Sequence, residues 1–593
     1  MSPQNLSSGE GVRRAVRIAN CSGFFGDRLS AAKEMVDATL DEHGDIDVLT
    51  GDWLAELTML ILHKQRSRNV ELGYASTFLI QMEQVLATCK ERGIKVVTNA
   101  GGLNPAGCAQ KVRDIAAKLG IDVKVAHVEG DDLLPRVDGL RDQLTHLDTG
   151  APLAGEPITA NAYLGGWGIA AALKAGADVV VCGRVTDAAI VVGPAAWWHD
   201  WAIDDWDRLA GAVVAGHVIE CGTQATGGNY TWFHEIPDPG KPLGFPIAEV
   251  EADGSSVITK HPGTGGVVNV GTVTAQLLYE IGGEAYANPD VVTHFSSINV
   301  EQEGPDRVRI SGVQGSPAPA TTKVCLNLEG GFRNRMSFVL TGLHQAEKAA
   351  WVEQALLARL GGKDRFDEVD VRFVPAPSDA RTQEEASGRL HVTVKSKDDR
   401  LAGRGFSSAC IELALANYPG FFASGAPGDA QSYGVYWPAL VDADEIDERV
   451  ILWDGSPLRV PRPHASATLS SEYSPEPGIG VSTPTLVGPA VGEPLGAHFA
   501  ARSGDKGGNA NVGIWSRDAS GYAWLEANLT AEKVRELLPE AAALEVRRTE
   551  LPNIHALNFV IVGLLGEGVA SSTAFDAQAK GLGEYLLSRV WRG

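Results

Sequence analysis

Four carboxylates and one arginine stand in this chain where acid–base chemistry is done: Asp52, Glu129, Arg184, Asp187 and Glu220. Carboxyl groups beside a guanidinium, in a site shielded from water, have proton affinities that move apart. Removing a proton next to a carbonyl, or adding and expelling water, needs such a divided set of acids and bases. Taken singly, each carboxylate is explained equally well as a helix cap or a surface charge. Their positions along the chain argue for more.

Asp52, Glu129, Arg184 and Asp187 follow runs of apolar, mostly β-branched residues, and so do the polar residues around them. NCSGFFGDR brings Asn20, Ser22 and Gly23, and TGDWLAE brings Gly51, Asp52 and Glu56. NAGGLNP brings Asn99, Gly101, Gly102 and Asn104, and the next corner brings Glu129, Asp131 and Asp132. NAYLGGWG contributes Asn161 and Tyr163, and CGRVTDA contributes Arg184, Thr186 and Asp187. A β-branched run, then small residues, then a helix start is a strand–loop–helix corner. Open α/β sheets hold ligands at such corners because strand ends and helix N-termini converge there. A single Gly or Asn is ordinary turn chemistry, but six polar corners on one sheet edge describe a shared cleft. In it the backbone N–H groups of Gly23, Gly101 or Gly102 would face an enolate oxygen.

Three further loops carry reactive residue types. In GHVIECGTQATGGNYTWF, His217 and Cys221 are four apart with Glu220 beside them, a set that can ligate a metal ion. The preferred reading ends a helix at Cys221–Gly222 and turns Thr223, Gln224 and Asn229 toward the cleft; Cys221 as a nucleophile lacks an assignable base. In KHPGTGG, His261 reads as a general base, a phosphate contact or a turn residue. In ARSGDKGGNANVGI, Arg502, Ser503, Asp505 and Lys506 share a glycine-rich loop able to cradle phosphate or carboxylate groups. SGFFG and NAGG lack the GxGxxG spacing, and no GxxxxGK[ST] occurs. Neither a nicotinamide, flavin or other tightly bound cofactor nor a metal is therefore expected.

The elements that must position these residues alternate. Residues 15–20, 46–50, 94–98, 123–128 and 177–182 read as buried parallel strands, and 29–42, 76–92 and 108–119 as amphipathic helices between them. This predicts an α/β fold with a doubly wound, mostly parallel sheet over 14–230. Shorter alternating strands, with helices at 346–360 and 407–416, extend it as a mixed α+β region over 231–460. A Pro/Ser/Gly-rich linker follows at 461–494, and 495–593 reads as a small α/β sandwich with an antiparallel sheet.

Composition narrows the partners. A chain of 593 residues needs more than one core. A net charge of -23 argues against nucleic acid or an anionic membrane surface as the main partner. Seven dispersed cysteines, without a CxxC pair, do not form a disulfide scaffold, and no apolar stretch is long enough to span a bilayer, so a reduced cytoplasm is expected. A small-molecule substrate and a homo-oligomeric assembly are the expected partners.

At SGFFGDR, GDWLAE, NAGGLNP, CGRVTDA, ECGTQATGGNY, GTVTAQLLYE and SGDKGGNANVGI the chain resembles the acyclic terpene utilisation family, specifically its protein A. The resemblance spans 14–455 as the main domain and 494–593 as a C-terminal ferredoxin-like domain. It implies a role in branched or terpenoid acyl-CoA catabolism, with CoA present as part of the substrate. On that basis the expected activity is hydratase/dehydratase or carbon–carbon lyase chemistry on an acyl-CoA thioester. The alternatives are a non-catalytic binding or assembly subunit of such a pathway, and a metal-dependent hydrolase built on His217, Glu220 and Cys221.

Overall fold

Buried β-branched runs make the centre of an eleven-stranded sheet in the computed structural model, which describes residues 13–38, 44–463 and 486–593. The strands are β1 (Val16–Asn20), β2 (Val48–Gly51), β3 (Lys95–Thr98), β4 (Val125–Glu129) and, after an intervening strand β5 (Pro157–Ala162), β6 (Val179–Val181). They run parallel in the order β1-β2-β3-β6-β4, with Ile18 opposite Val48 and Val97 opposite Val180. Val, Ile and Ala dominate because both faces are covered. Helices Ala31–Asp37, Ser76–Arg92 and Pro105–Leu119 bury one face against Leu49, Val96 and Val179. Helix Ala189–His199 packs on β1, β2 and β3 from the other.

The expected mostly parallel sheet is a mixed one. β7 (Pro246–Val250) and β8 (Ser256–Lys260) add antiparallel beside β1, followed by the hairpin Asn299–Gly304/Arg307–Ser311. Arg449–Ile451 and Pro457–Arg459 extend the β4 edge, also antiparallel. Tight turns join these strands in pairs, and a two-to-five-residue connection permits only antiparallel pairing. The sheet therefore runs across the boundary expected at 230.

The chain instead separates into two units, of which the second is Leu328–Val435 with Ala570–Ala577. In that unit, strands Glu368–Val374, Ser387–Ser396 and Phe422–Ala423 join the long strand Thr321–Thr341. Helices Gln345–Leu360 and Phe406–Glu412 cover it through Val352, Leu356, Phe338 and Phe406. The alternating runs TKVCLNLEG and NRMSFVLT are parts of that one strand. Most of the expected linker, residues 464–485, lies outside the described residues.

The C-terminal domain lies in the first unit. Strands Ala500–Lys506, Asn509–Trp515, Ala556–Ile561 and Val546–Leu551 form, in that order, an antiparallel sheet backed by helices around Phe499, Val512, Leu557 and Phe559. One of those helices, Ala519–Asn528, was not expected. Asp518 caps it by accepting from the N–H groups of Ser520 and Gly521, 2.9 Å each. Among the described residues no helix is long and apolar enough to cross a membrane, and the seven cysteines are free thiols.

The NAGG corner is fixed by packing. A Cβ on Gly101 would sit 2.5 Å from the Cys182 carbonyl oxygen and 2.8 Å from Pro105 Cα. Gly101→Ala is expected to destabilise the first unit by about 1–3 kcal/mol, the usual cost of overpacking a rigid site. A urea titration reads this as a lower midpoint of its unfolding transition; an unchanged midpoint would show that the corner yields.

Candidate functional site

Arg184, 2% exposed, lies at the carboxyl end of β6. Its backbone N–H donates to Asp131 Oδ2 at 2.9 Å, and Asn161 Nδ2 donates to the same oxygen at 2.9 Å. Its guanidinium stacks over the Tyr163 ring, 4.2 Å from the centroid, and donates to Asp187 Oδ1 at 2.5 Å. Burial works against the charged form of Arg184, but Asp187, Tyr163, Glu56 and Asp52 around it hold the proton on.

Asp52 extends from the end of β2. Asn99, at the end of β3, donates to its Oδ1 at 2.5 Å while accepting from the Trp53 N–H at 2.8 Å. Glu220 is set by Asn20, which ends β1 and whose Nδ2 donates to the carbonyls of Ile219 and Glu220 at 2.7 and 3.1 Å. Burial, then the nearby Asp187, pushes the carboxyls of Asp52 and Glu220 well above the ordinary range. Asp187 is itself raised, by burial and by Glu56 against the opposing pull of Arg184. Asp187 is thus the common neighbour of a proton-retaining set.

Glu56, first residue of helix Glu56–Arg68, behaves oppositely. Burial opposes its ionisation, but Lys323 and Arg184 overcome it and hold Glu56 at about 2. Tyr163 and Tyr436 donate to its Oε1 at 2.9 and 3.3 Å, and Lys323 Nζ lies 3.5 Å away. Asp187 and Glu56 each leave nearly a third of their side chains open, 31% and 30%, although protein surrounds them; they line a cleft rather than a core.

The C-terminal domain supplies the opposite wall. Lys506 Nζ donates to the Glu280 carbonyl at 2.7 Å and lies 5.9 Å from the centre of the Tyr286 ring. Arg502 stacks 4.2 Å over Tyr279 and donates to Gln224 Oε1. Lys580 reaches the Tyr279 hydroxyl and lies 3.7 Å from Asp505. Burial and Glu280 lift the Asp505 carboxyl to about 7. His217, ringed by Tyr286 and Phe295, is driven by burial to about 4 and stands neutral 3.4 Å from Glu220.

The structure thus gathers Asp52, Arg184, Asp187, Glu220, Asp505 and Lys506, with Asn20, Asn99, Asn161, Gln224 and Arg502 as their supports. It leaves other expected residues outside. The Glu129 carboxyl accepts from His127 at 3.0 Å on a strand end covered by Arg449, and that bond and charge lower its proton affinity rather than raising it. His261 donates to the Met35 carbonyl at 3.0 Å, buried behind helix Ala31–Asp37. Asn104 caps helix Pro105–Leu119 through Gly107 N–H at 2.9 Å. Ser503 Oγ donates to the Ala579 carbonyl, and Asn229 is an exposed left-handed turn residue. Ser22 Oγ donates to the Phe24 carbonyl, and the Thr223 carbonyl closes a turn onto Thr226 and Gly228.

Two of the three expected enolate donors are also spent: Gly23 N–H donates to Asp27 and Gly102 N–H to the Asn99 carbonyl. Among the described residues no three His, Cys, Asp or Glu side chains are grouped to hold a metal ion. The Cys221 thiol is pushed up by burial and by Glu220, away from the thiolate a nucleophile needs. An open cavity of about 640 Å³ between Asp444–Glu448 and Arg459–Arg462 includes none of the gathered residues.

Tyr279, Glu280, Tyr286, Lys323 and Tyr436 were not expected in the site. The first three lie in GTVTAQLLYEIGGEAY, where two tyrosines and two glutamates inside a glycine-broken apolar run were the available signal.

The molecule is thus an α/β protein with a ring of acids and cations between its main sheet and a small C-terminal sandwich. The chain belongs to the acyclic terpene utilisation family: the model of family protein AtuA matches residues 16–452, and that of the AtuA ferredoxin-like domain matches 494–591. No curated protein and no solved structure matches it.

Acids that bind protons more tightly folded than unfolded cost stability as pH rises from their unfolded value toward their folded one. Asp52→Asn and Glu220→Gln keep the size and one acceptor oxygen of the side chain but remove that loss. Below about pH 4, the ordinary carboxylate value, both variants should melt with the wild type; at higher pH they should melt above it, by a margin that widens with pH. Thermal melts across a pH series measure this, and a margin that shrinks as pH rises would contradict the raised proton affinities.

Proposed function

We propose that this protein is an enzyme of branched or terpenoid acyl-CoA catabolism that moves protons beside a thioester carbonyl, in a hydration/dehydration or carbon–carbon lyase step. The observation that carries this reading is Asp187: it is open to the cleft, burial raises its proton affinity above the ordinary carboxylate value, and it is held against Arg184. A group that exchanges protons at neutral pH works best when its affinity lies near that pH. Burial and the ionised Glu56 keep the affinity raised, and Arg184 keeps it from rising further.

In a dehydration, Asp187 as carboxylate takes the proton from the carbon next to the thioester carbonyl. The C–H electron pair moves into the enolate. The hydroxyl on the following carbon then leaves as water with a proton from a neighbouring carboxylic acid of the set. With the N–H groups of Gly23 and Gly102 engaged elsewhere, the enolate oxygen is left to the other donors of the cleft. A lyase step uses the same groups in another order: a carboxylate of the set takes the proton of the hydroxyl, the bond from its carbon to the carbon beside the thioester carbonyl breaks, that electron pair becomes the enolate, and a neighbouring carboxylic acid protonates the carbon. The family membership supports terpene catabolism as the setting.

Deuterium exchange from heavy water into geranyl-CoA and 3-methylglutaconyl-CoA, read by mass spectrometry, tests this. The wild type is expected to label one of them at the carbon beside the carbonyl, and Asp187→Asn to slow labelling by about 10²–10⁴-fold, the usual worth of a positioned acid–base group. A thioester that raises the melting temperature yet is never labelled would point to a binding subunit and overturn the enzymatic reading.

A further inference from the structure

Lys506 sits at the tip of the hairpin that joins Ala500–Lys506 to Asn509–Trp515. Glycines let this tip enter the cleft: a Cβ on Gly504 would lie 2.3 Å from Tyr279, and one on Gly507, at φ +64, 2.7 Å from Tyr436. Lys323 approaches the same Tyr436 from the main domain, 5.7 Å from the ring centre. The residue after Lys506 therefore meets the tyrosine that Lys323 approaches, and the two ammonium groups, from two domains, lie within electrostatic range of each other.

Their counter-charges differ. Lys323 has the ionised Glu56 at 3.5 Å. Lys506 spends one N–H on the neutral Glu280 carbonyl, and no carboxylate of the described residues lies within ion-pair distance of it. A lysine enclosed by protein beside a second cation is unfavourable unless an anion joins it. Enclosure and Lys323 lower its proton affinity, as expected of an ammonium short of negative charge. We propose that Lys506 binds a free carboxylate on the acyl part of the substrate, so that the cleft takes acyl thioesters of dicarboxylic acids.

The acids of the cleft select the anion. Glu56, Asp187 and Glu280 act on Lys506 at longer range, and their field repels a doubly charged phosphate more than a singly charged carboxylate. This assignment rests on the thioester reading for its second functional group, but the carboxylate contact itself can be tested apart from it.

Calorimetry on the full chain compares glutaryl-CoA with pentanoyl-CoA, which share five acyl carbons and every CoA phosphate, and adds glutarate and inorganic phosphate. The wild type is expected to bind glutaryl-CoA at least about tenfold more tightly, the worth of one charge-assisted contact. Lys506→Met should erase the preference at an unchanged melting temperature, and Lys506→Arg should retain it. Equal binding of the two thioesters, a preference that survives Lys506→Met, or a Lys506-dependent site that takes phosphate in place of glutarate would each overturn the proposal. If neither thioester binds, the thioester reading fails and glutarate decides: binding that Lys506→Met weakens about tenfold upholds the carboxylate site, and no binding overturns it.

Discussion

A guanidinium sealed beneath the edge of a parallel sheet must be balanced within a few ångströms, because its own solvation has been stripped away. Arg184 is that group, and the geometry of the cleft follows from how it is balanced. Its N–H is held by Asp131, its plane by Tyr163, and its charge first by Asp187 at 2.5 Å. One carboxylate suffices for one guanidinium. Asp52 and Glu220, drawn in around the same Asp187, exceed that balance, and burial then makes retention of protons the less costly state. Glu56 escapes this because it has its own cation, Lys323, and two tyrosine hydroxyls. One buried cation and one partly open cation thus take Asp187 and Glu56 as their counter-charges and leave Asp52 and Glu220 as acids.

The same economy of charge explains the C-terminal domain. Its hairpin carries Arg502, Asp505 and Lys506 into an acidic protein, where they meet Tyr279, Glu280 and Tyr286 from one stretch of the main chain. Aromatic faces accept cations without adding negative charge, so Arg502 and Lys506 are accommodated while their capacity for an anion is largely kept. A domain docked through its site residues makes the cleft depend on both domains.

The five central strands and the helices at 76–92, 105–119 and 345–360 were legible because β-branched runs and apolar periodicity are local signals. The antiparallel strands around them were legible as strands but not as members of the same sheet, since pairing over hundreds of residues leaves no mark in spacing. Within the site, Asp52, Arg184, Asp187 and Glu220 were legible because they follow strand ends or a helix end. Glu129 stood in an equivalent position and was lost to a feature the sequence conceals, the late strand Arg449–Ile451 pairing onto β4. Lys323 and Tyr436 carried no signal: each alternates within a strand like any edge residue, and only the fold brings them to Glu56.

The division of labour in the cleft requires that carboxyls around Arg184 retain protons at neutral pH. Infrared spectra of the full chain at neutral pH, compared with Asp52→Asn and Glu220→Gln, observe those protons directly. The wild type is expected to show a protonated-carboxyl carbonyl band that shifts in heavy water and loses intensity in each variant. A spectrum containing only ionised carboxylate bands, unchanged by either substitution, would contradict that requirement.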